Sequence, residues 1–382
     1  MLDPLFEPNG KLNGTILIEE VKKVVFNSKD GKSPGIDLLH YEVLKNNSVI
    51  SVLHKLFQLC FETGKVPSVW GKAIIHPIPK GTQLDQRVPL NYRGISLLSV
   101  VAKCYSSVLN NRLQNFLEEN DSIVDEQNGF RKDRSCLDHV FTLNSMIQNR
   151  KSTFVTFVDL QKAFDFVDRN LLQYKLRLNG IDGYMYNAIS SLYVKTESCV
   201  RVNGFQTNWF PCVNGVRQGD NLSPTLFSIF INDLAVEIKN LNKGIPVENE
   251  KISILLYADD IALVTENERD MQVVLDVLNK WCEKWRLNVN SAKSSVMHFR
   301  KGRTPRTSST FKIGNEQLQI VEQYKYLGVI FSEKLKYTAA ADAFAKAGGR
   351  ALGAAISKRE TFLTAQIFAT NKLFKRPKLN PK

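Results

Sequence analysis

The sequence is poor in the residues that build zinc sites and disulfide frameworks. Six cysteines and five histidines are scattered through 382 residues. No two cysteines form a CxxC pair, and no histidine cluster supplies the spacing of a zinc site. This pattern argues against a structural zinc domain and favours free thiols, as expected inside the cell.

Long apolar runs are missing as well. No stretch reaches the roughly 18 consecutive apolar residues that a membrane-spanning helix needs. The N-terminus, Met1-Leu2-Asp3-Pro4, lacks the basic and then apolar segments of a secretory signal. We therefore expect a soluble intracellular protein, nuclear or cytoplasmic, with no membrane partner.

Acidic residues are in deficit. The chain has 38 Asp and Glu against 51 Lys and Arg, a formal net charge of +13, which predicts a polyanionic partner. The basic residues are dispersed and do not line a strongly apolar helix face, so nucleic acid is favoured over an anionic membrane. The length and the hydrophobic content of 43% predict two or three subdomains with a sizeable core.

Two acidic signals nevertheless lie within apolar, strand-like runs. Asp159 follows Phe157-Val158, and Asp259-Asp260 lies inside the run 255–264. A buried carboxylate is costly, and adjacent carboxylates repel each other. Because no Gly, Pro, Asn or Ser flanks the pair, we expect a continuous strand and not a turn, with the two side chains on opposite faces. One of them would then meet Asp159 in a site for Mg²⁺ or Mn²⁺. A solvated edge for the pair, and a helix cap for Asp159, are the competing interpretations.

The rest of the chain alternates helical and strand-like patterns. Asn203-Gly204 between two apolar runs predicts a hairpin. Interleaved strands and helices with such a hairpin predict an α+β core with helices packed on one face of a sheet. The main predicted helices are 49–61, 104–117, 227–241 and 270–285, and the main predicted strands are 70–79 and 295–299.

Several motifs, in order, resemble those of the reverse transcriptases of non-LTR (LINE-type) retrotransposons. Together they cover the chain from about residue 32 to residue 332, and their order makes the signal strong. The motifs are Asn91-Tyr92-Arg93-Gly94-Ile95-Ser96-Leu97-Leu98, Gln127-Asn128-Gly129-Phe130-Arg131, Phe157-Val158-Asp159-Leu160-Gln161-Lys162-Ala163-Phe164-Asp165, Gly215-Val216-Arg217-Gln218-Gly219-Asp220-Asn221-Leu222-Ser223-Pro224, Tyr257-Ala258-Asp259-Asp260 and Tyr326-Leu327-Gly328.

The resemblance implies an α+β right-hand polymerase fold with fingers and palm and a truncated thumb. It divides the chain into an N-terminal extension (1–60), a reverse transcriptase domain (61–332) and a partial thumb with a basic tail (333–382). Gly94 stands where the family usually has proline, which would loosen a fingers strand. No endonuclease domain precedes residue 32 and the chain stops early in the thumb, so we expect no cleavage of target DNA and a weaker grip on the template.

The resemblance also implies a two-metal site. Asp159 and Asp259 bridge two Mg²⁺ or Mn²⁺ ions about 4 Å apart, and the backbone carbonyl of Leu160 adds an oxygen. Asp260 is a neighbouring carboxylate that tunes the site. Lys293 matches a lysine that protonates the leaving pyrophosphate as a general acid. For Lys293, a solvated lysine after a helix is the simpler alternative.

Nucleotide contacts are implied on both sides of these carboxylates. Phe164 would lie beneath the incoming sugar and exclude a 2′-hydroxyl, unless it is a plain core aromatic. Gln218 and Gly219 would let the chain approach the nucleotide and the template, since glycine has no side chain. For these two, an ordinary loop before a helix is the alternative.

Further contacts are implied for the triphosphate and the primer. Lys80 and Arg93 are candidates to bind the triphosphate oxygens, with Arg131 a weaker alternative. Solvated surface charge is the competing interpretation for Lys80 and Arg93. Tyr326-Leu327-Gly328 resembles the strand that grips the primer end.

The function implied is that of an RNA-directed DNA polymerase, whose partners are an RNA template, a DNA primer and deoxynucleoside triphosphates. A truncated mobile-element remnant that binds nucleic acid without polymerising is the main alternative. A nucleotide cyclase also uses paired metal carboxylates on a palm-like sheet, but the motifs around Arg93 and Arg131 argue against it. The sequence does not indicate an oligomeric state.

Overall fold

A computed structural model describes residues 9–81 and 83–352. Helices and strands alternate along this part of the chain, and two 3₁₀ helices, Ser68–Gly71 and Pro89–Asn91, precede the first two strands. The α-helices are α1 (Gly10–Asn13), α2 (Ile18–Asn27), α3 (Tyr41–Leu44), α4 (Asn47–Thr63), α5 (Val100–Glu119), α6 (Cys136–Gln148), α7 (Ala163–Phe166), α8 (Arg169–Leu178), α9 (Gly183–Ser191), α10 (Ser223–Asn240), α11 (Glu268–Trp285) and α12 (338–352, up to the last described residue).

The strands form two larger sheets and two separate hairpins. One sheet has the order β2-β1-β4-β5 with β6 also paired to β4, and the other has the order β12-β13-β11-β3-β10-β9. The strands are β1 (Lys72–Pro79), β2 (Tyr92–Leu98), β3 (Ser152–Asp159), β4 (Glu197–Val202), β5 (Phe205–Gln206), β6 (Phe210–Pro211), β7 (Ile245–Val247), β8 (Glu250–Ile252), β9 (Ile254–Tyr257), β10 (Asp260–Thr265), β11 (Ser295–Arg300), β12 (Phe311–Ile313), β13 (Glu316–Ile320), β14 (Gln323–Tyr326) and β15 (Val329–Ser332). The pairs β7–β8 and β14–β15 are the separate hairpins.

The six-stranded sheet has an apolar core on each face. Along β3, Phe154 and Val158 lie in one buried cluster with residues of α10 and α11. Val155 and Phe157 lie in a second cluster with residues of α6 and of the β14–β15 hairpin. The prediction that helices pack on one face is therefore wrong, because the central strands are apolar on both faces and both must be covered.

The N-terminal segment shares the main core with the rest of the chain. Phe57 of α4 packs against Trp70 and against Tyr105 of α5, with ring centroids 6.2 and 5.3 Å apart. Arg112 of α5 contacts both carboxylate oxygens of Glu20 on α2 at 2.7 Å. The part of the predicted N-terminal extension that the structure describes is thus tied to α5 by packing and by a bidentate ion pair.

Sequence patterns located the elements well, and the α+β fold class is confirmed. The Asn203-Gly204 hairpin forms between β4 and β5, as predicted. The strand predicted through Asp259-Asp260 does not form: β9 ends at Tyr257 and β10 begins at Asp260. Of the predicted partial thumb and basic tail, residues 353–382 lie outside the described residues. Within residues 9–81 and 83–352, no helix is long and apolar enough to cross a membrane.

Candidate active site

Three carboxylates meet at one end of the six-stranded sheet. Asp159 is the last residue of β3 and Asp260 is the first of β10, and the antiparallel register sets them directly opposite each other. Opposed residues of an antiparallel pair project to the same face, with Cβ atoms about 5 Å apart. Asp259 lies next to them in the turn between β9 and β10. Two acidic signals that are about 100 residues apart in sequence thereby come together in space.

The turn that carries Asp259 corrects a prediction made from the sequence. Tyr257 pairs with Asp260, which leaves Ala258-Asp259 as a two-residue hairpin turn. Ala258 has a φ of 59°, in the left-handed region that usually favours glycine. Aliphatic flanks predicted a continuous strand because they contain no local turn residue, but contacts from outside the hairpin supply what the local sequence lacks.

Those contacts come from the segment around Gln127. The Gln127 side chain, which is fully buried, accepts a hydrogen bond from the backbone N–H of Ala258 through Oε1 at 3.1 Å. A Cβ at Gly129 would stand 2.3 Å from that same backbone nitrogen. The motif Gln127-Asn128-Gly129-Phe130-Arg131, one of those that carry the family resemblance, therefore packs directly against the turn that carries Asp259.

Burial and mutual repulsion shift the acidity of the site. Partial burial raises the pKa of Asp260 to about 6, and the charges of Asp259 and then Asp159 push it in the same direction. Burial also raises the pKa of Asp259, and the charge of Asp159 adds to the shift. Asp259 and Asp260 are therefore harder to ionise, first because they are partly buried and then because their neighbours carry the same charge.

Asp159 is held by the segment that leads into β11. Asn290 donates from Nδ2 to Asp159 Oδ2 at 3.0 Å, and the backbone N–H of Asp159 donates to Ser294 Oγ at 3.0 Å. The ammonium of Lys293 lies 4.0 Å from Asp159 Oδ2 and is exposed. Sequence analysis predicted a site role for Lys293 but missed Asn290 and Ser294, although both lie within a few residues of it.

The donor chemistry of these side chains fits a hard divalent cation. Asp159 and Asp259 offer only oxygen, and their mutual repulsion is what a bound cation would relieve. The side chain of Leu160 is buried in the core, so its part in a site would be through its backbone carbonyl. Among residues 9–81 and 83–352, no group of three or more His, Cys, Asp and Glu side chains is ready to hold a metal ion. The assignment of metal ligands stays a prediction.

Phe164 lies on the short helix α7, which follows β3 and Asp159 along the chain. Its ring stacks on Phe227 of α10, with centroids 4.7 Å apart and planes 15° apart, and meets the edge of Phe130 at 6.4 Å. Gln218 donates from Nε2 to Asp165 Oδ1 at 2.7 Å, which ties the loop before α10 to α7. Phe164 and Gln218 thus belong to one connected surface, as a shared nucleotide role requires.

The other predicted nucleotide contacts lie on or near β1 and β2. Gly219 has a φ of 87°, and a Cβ there would stand 2.9 Å from the Ser96 carbonyl oxygen of β2, so its close approach is to the chain itself. Lys80 follows β1, and its backbone N–H donates to the Asn91 carbonyl at 2.8 Å. Arg93 is exposed on β2. Their contacts to a triphosphate stay predictions.

Arg131, the weaker candidate for the triphosphate, is engaged within the protein. Its Nε and Nη2 donate to the two carboxylate oxygens of Glu118 at 2.8 and 2.7 Å. Its Nη1 donates to the carbonyl oxygens of Val124 and Gln127 at 3.0 and 3.3 Å. Through these contacts Arg131 anchors the segment around Gln127 to Glu118 on α5.

The predicted primer grip is a hairpin and not a single strand. Tyr326 ends β14 and pairs with Val329, so Leu327-Gly328 forms a two-residue turn with φ values of 45° and 89°. Tyr326 is buried, and its ring lies 5.2 Å from that of Phe157 on β3. Asp159, two residues after Phe157, projects to that same face of the sheet. The hairpin therefore covers the face of the sheet on which the carboxylates lie.

Comparisons with known proteins find relatives among mobile elements. "RNA-directed DNA polymerase from mobile element jockey" of Drosophila melanogaster is 28% identical over 338 residues, which is 85% of this chain and 36% of that protein. A "Retrovirus-related Pol polyprotein from type-1 retrotransposable element R2" of Nasonia vitripennis is 26% identical over 300 residues, 75% of this chain and 28% of that protein. The chain spans about a third of the length of the curated relatives it matches.

Among solved structures, an apo telomerase from Candida tropicalis aligns with a TM-score of 0.49 and 13% identity, over 75% of this chain and 60% of that one. A family model described as "Reverse transcriptase (RNA-dependent DNA polymerase)" matches residues 78–331, which is more than half of the chain. This match and the relatives from non-LTR retrotransposons confirm the resemblance that the sequence motifs indicate. The chain belongs to the reverse transcriptase family.

Proposed function

We propose that the chain is an RNA-directed DNA polymerase of a non-LTR retrotransposon, which extends a primer 3′-hydroxyl with deoxynucleotides. One observation carries the proposal: the register sets Asp159 opposite Asp260, with Asp259 in the adjoining turn. Reverse transcriptases generally use divalent metal ions. Family membership supports the reaction class, and the cluster of Asp159, Asp259 and Asp260 is the proposed site of the reaction.

Asp159 and Asp259 would hold two Mg²⁺ or Mn²⁺ ions, with the backbone carbonyl of Leu160 as a further oxygen. When bound, such ions stabilise the attacking and leaving oxygens of an in-line displacement. Asp260 adjusts the charge around the pair. Lys293, whose ammonium lies 4.0 Å from Asp159 Oδ2, would give a proton to the leaving pyrophosphate.

The nucleotide would lie between the carboxylates and the β1–β2 hairpin. Phe164, fixed by its stacking on α10, would exclude a ribose 2′-hydroxyl, and Gln218 and Gly219 would line the approach of the nucleotide and the template. Lys80 and Arg93 would bind the triphosphate from the fingers side. The ordered stacking at Phe164 supports a rigid wall, as steric selection of the sugar requires.

The RNA template and the DNA primer would contact the chain mainly through their backbones. A net charge of +13 favours such contacts, which depend on salt concentration and not on sequence. The hairpin turn at Tyr326-Leu327-Gly328 would hold the primer end against the face that carries Asp159. The proposed division of the chain is an N-terminal extension over 1–60, the reverse transcriptase domain over 61–332 and a partial thumb with a basic tail over 333–382.

The test is primer extension on a poly(rA) template with an oligo(dT) primer, dTTP and Mg²⁺ or Mn²⁺. We expect the wild-type protein to incorporate dTMP and Asp259→Ala to lose about a thousandfold in rate, because a metal ligand is removed. Asp276→Ala is the matched control, since Asp276 is an exposed carboxylate on α11. It should extend the primer at the wild-type rate.

Binding of the RNA–DNA hybrid, measured by fluorescence anisotropy, separates the two candidate functions. Asp259→Ala should bind the hybrid as tightly as the wild type, because the removed carboxylate is not part of the basic surface. A wild-type protein that binds the hybrid but incorporates no dTMP would contradict the proposal and would support a nucleic-acid-binding remnant. Equal incorporation by Asp259→Ala and the wild type would remove Asp259 from the site.

A further inference from the structure

Gln127 is a buried polar side chain that the proposed reaction does not use. It is fully buried, and its Oε1 accepts two backbone hydrogen bonds, from Gly129 at 2.8 Å and from Ala258 at 3.1 Å. Its Nε2 has no hydrogen-bond partner within the described residues. An apolar side chain of similar size would fill the same space without burying an unpaired donor. What Gln127 adds is its amide oxygen, which accepts hydrogen bonds from the two backbone N–H groups.

The backbone around Gln127 also grips β9. The Leu256 N–H donates to the Glu126 carbonyl at 2.8 Å, and the Asn128 N–H donates to the Leu256 carbonyl at 2.9 Å. His139 of α6 contacts that same Leu256 carbonyl through Nε2 at 3.0 Å. The segment 126–129 therefore holds the hairpin at Leu256, two residues before the turn, and at Ala258 within the turn.

At Gly129 the segment lies so close to the turn that a side chain would not fit. A Cβ at this position would lie 2.3 Å from the Ala258 nitrogen and 2.9 Å from Gln127 Oε1. Arg131 in turn fastens the segment to Glu118 on α5. A continuous set of contacts thus runs from helix α5, through Arg131 and Gln127, to Ala258, the residue immediately before Asp259.

We propose that Gln127 is a positioning residue, which holds Ala258 in its left-handed conformation and so directs the Asp259 carboxylate toward Asp159. Ala258 is not a residue that adopts a positive φ without support, and the hairpin turn contains no glycine or asparagine. The hydrogen bond from Ala258 to Gln127 supplies that support. The part of the inference that concerns metal binding rests on the function proposed above.

The test replaces Gln127 by methionine, which keeps the side-chain length and removes the acceptor. Asn232→Leu is the matched control: Asn232 accepts from the Val124 N–H at 2.9 Å and donates to the Ser122 carbonyl at 2.8 Å, so it fixes the same loop without contacting the turn. Hydrogen–deuterium exchange should show the Ala258 amide exchanging faster in Gln127→Met and unchanged in Asn232→Leu.

The second measurement is Mn²⁺ binding by electron paramagnetic resonance, with Mn²⁺ alone as the probe. Gln127→Met should weaken Mn²⁺ binding by roughly 10- to 100-fold, as expected when a group that orients a metal ligand is removed. In primer extension, kcat should fall by a similar factor while the KM for dTTP stays within about twofold. Asn232→Leu should leave both Mn²⁺ binding and kcat at the level of the wild type.

Two results would overturn the inference. One is an Ala258 amide that exchanges at the same rate in Gln127→Met and the wild type. The other is an equal loss of Mn²⁺ binding in Gln127→Met and Asn232→Leu, which would mark a general effect of destabilisation. Exchange and Mn²⁺ binding require no polymerisation, so they decide the role of Gln127 even if the wild-type protein fails to extend a primer.

Discussion

Two hairpin turns in this chain reach similar geometries by different means. The β4–β5 turn consists of Asn203-Gly204, with φ values of 50° and 84°. Apart from the two chain neighbours, no atom of the described residues lies within 4 Å of a Cβ built at Gly204. Asn and Gly are the residues that tolerate positive φ, so the local sequence alone specifies the turn. In the β9–β10 turn, Ala258-Asp259, the residue at positive φ is Ala258, which is not one of these residues.

The cost of the second turn is met by contacts from far along the chain. A non-glycine residue at a φ of 59° costs about 1 kcal/mol, and Ala258 is also buried. Gln127, 131 residues away in sequence, accepts a hydrogen bond from its N–H. The conformation of the Asn203-Gly204 turn is set by its own residues, whereas that of the Ala258-Asp259 turn is set by contacts with residues distant in sequence. The comparison teaches that the turn with the proposed metal ligand depends on tertiary structure for its conformation.

The largest expected effect comes from adding one methyl group at Gly129. In Gly129→Ala the new Cβ would stand 2.3 Å from the Ala258 backbone nitrogen, which cannot move without distorting the turn. We expect the free energy of unfolding to fall by about 3 kcal/mol. Urea denaturation measures this change, and primer extension should be lost with it. A variant of wild-type stability and activity would show that the segment does not constrain the turn.

The same substitution in the other turn should have a smaller effect. Gly204→Ala places a methyl group in open space, so only the φ of 84° opposes it. The expected loss is about 1 kcal/mol in the free energy of unfolding, measured in the same urea titration. Primer extension should stay at the wild-type rate, because the turn is exposed and lies outside the carboxylate cluster. A loss as large as that of Gly129→Ala would erase the contrast between the two turns.

The sequence predicted those features that short-range patterns specify. Helix α4 follows from apolar spacing and ends at Thr63, just before Gly64, whose φ is 61°. Helix α11 begins after the capping residue Asn267. The Asn203-Gly204 hairpin follows from turn chemistry. The juxtaposition of Asp159 with Asp259-Asp260 was expected because isolated carboxylates in apolar runs need a shared partner.

The features that the sequence could not predict depend on long-range contacts. The turn at Ala258 is set by Gln127 and Gly129, whose pattern gives no indication of where they pack. Asn290 and Ser294 hold Asp159, yet polar residues after a helix are so common that neither carries a signal of its own. Helices on both faces of the sheet were missed because a fully apolar strand does not indicate how each face is covered.

The smallest expected effect comes from removing the carboxylate of Asp260, which flanks the Ala258-Asp259 turn. Asn203-Gly204 has no carboxylate, whereas Asp260 has its pKa raised to about 6 by burial and by its acidic neighbours. Because the folded state binds this proton more tightly than the unfolded chain, stability falls as pH rises from about 4 to about 6 and then stays lower. Asp260→Asn removes the penalty, so without divalent metal it should be more stable than the wild type at pH 7.

Solvent reaches the Asp260 side chain, so the gain should not exceed about 1 kcal/mol. Thermal unfolding in EDTA at pH 7 and near pH 4 measures it. The gain should shrink at the lower pH, where the carboxyl is protonated in the folded state and partly protonated in the unfolded chain. Glu248→Gln, which removes an exposed carboxylate from the β7–β8 turn, controls for the change in net charge and should bring no gain. A gain that is equal at both pH values would mean that repulsion within the cluster does not destabilise the Ala258-Asp259 hairpin, and tertiary contacts alone would then separate the two turns.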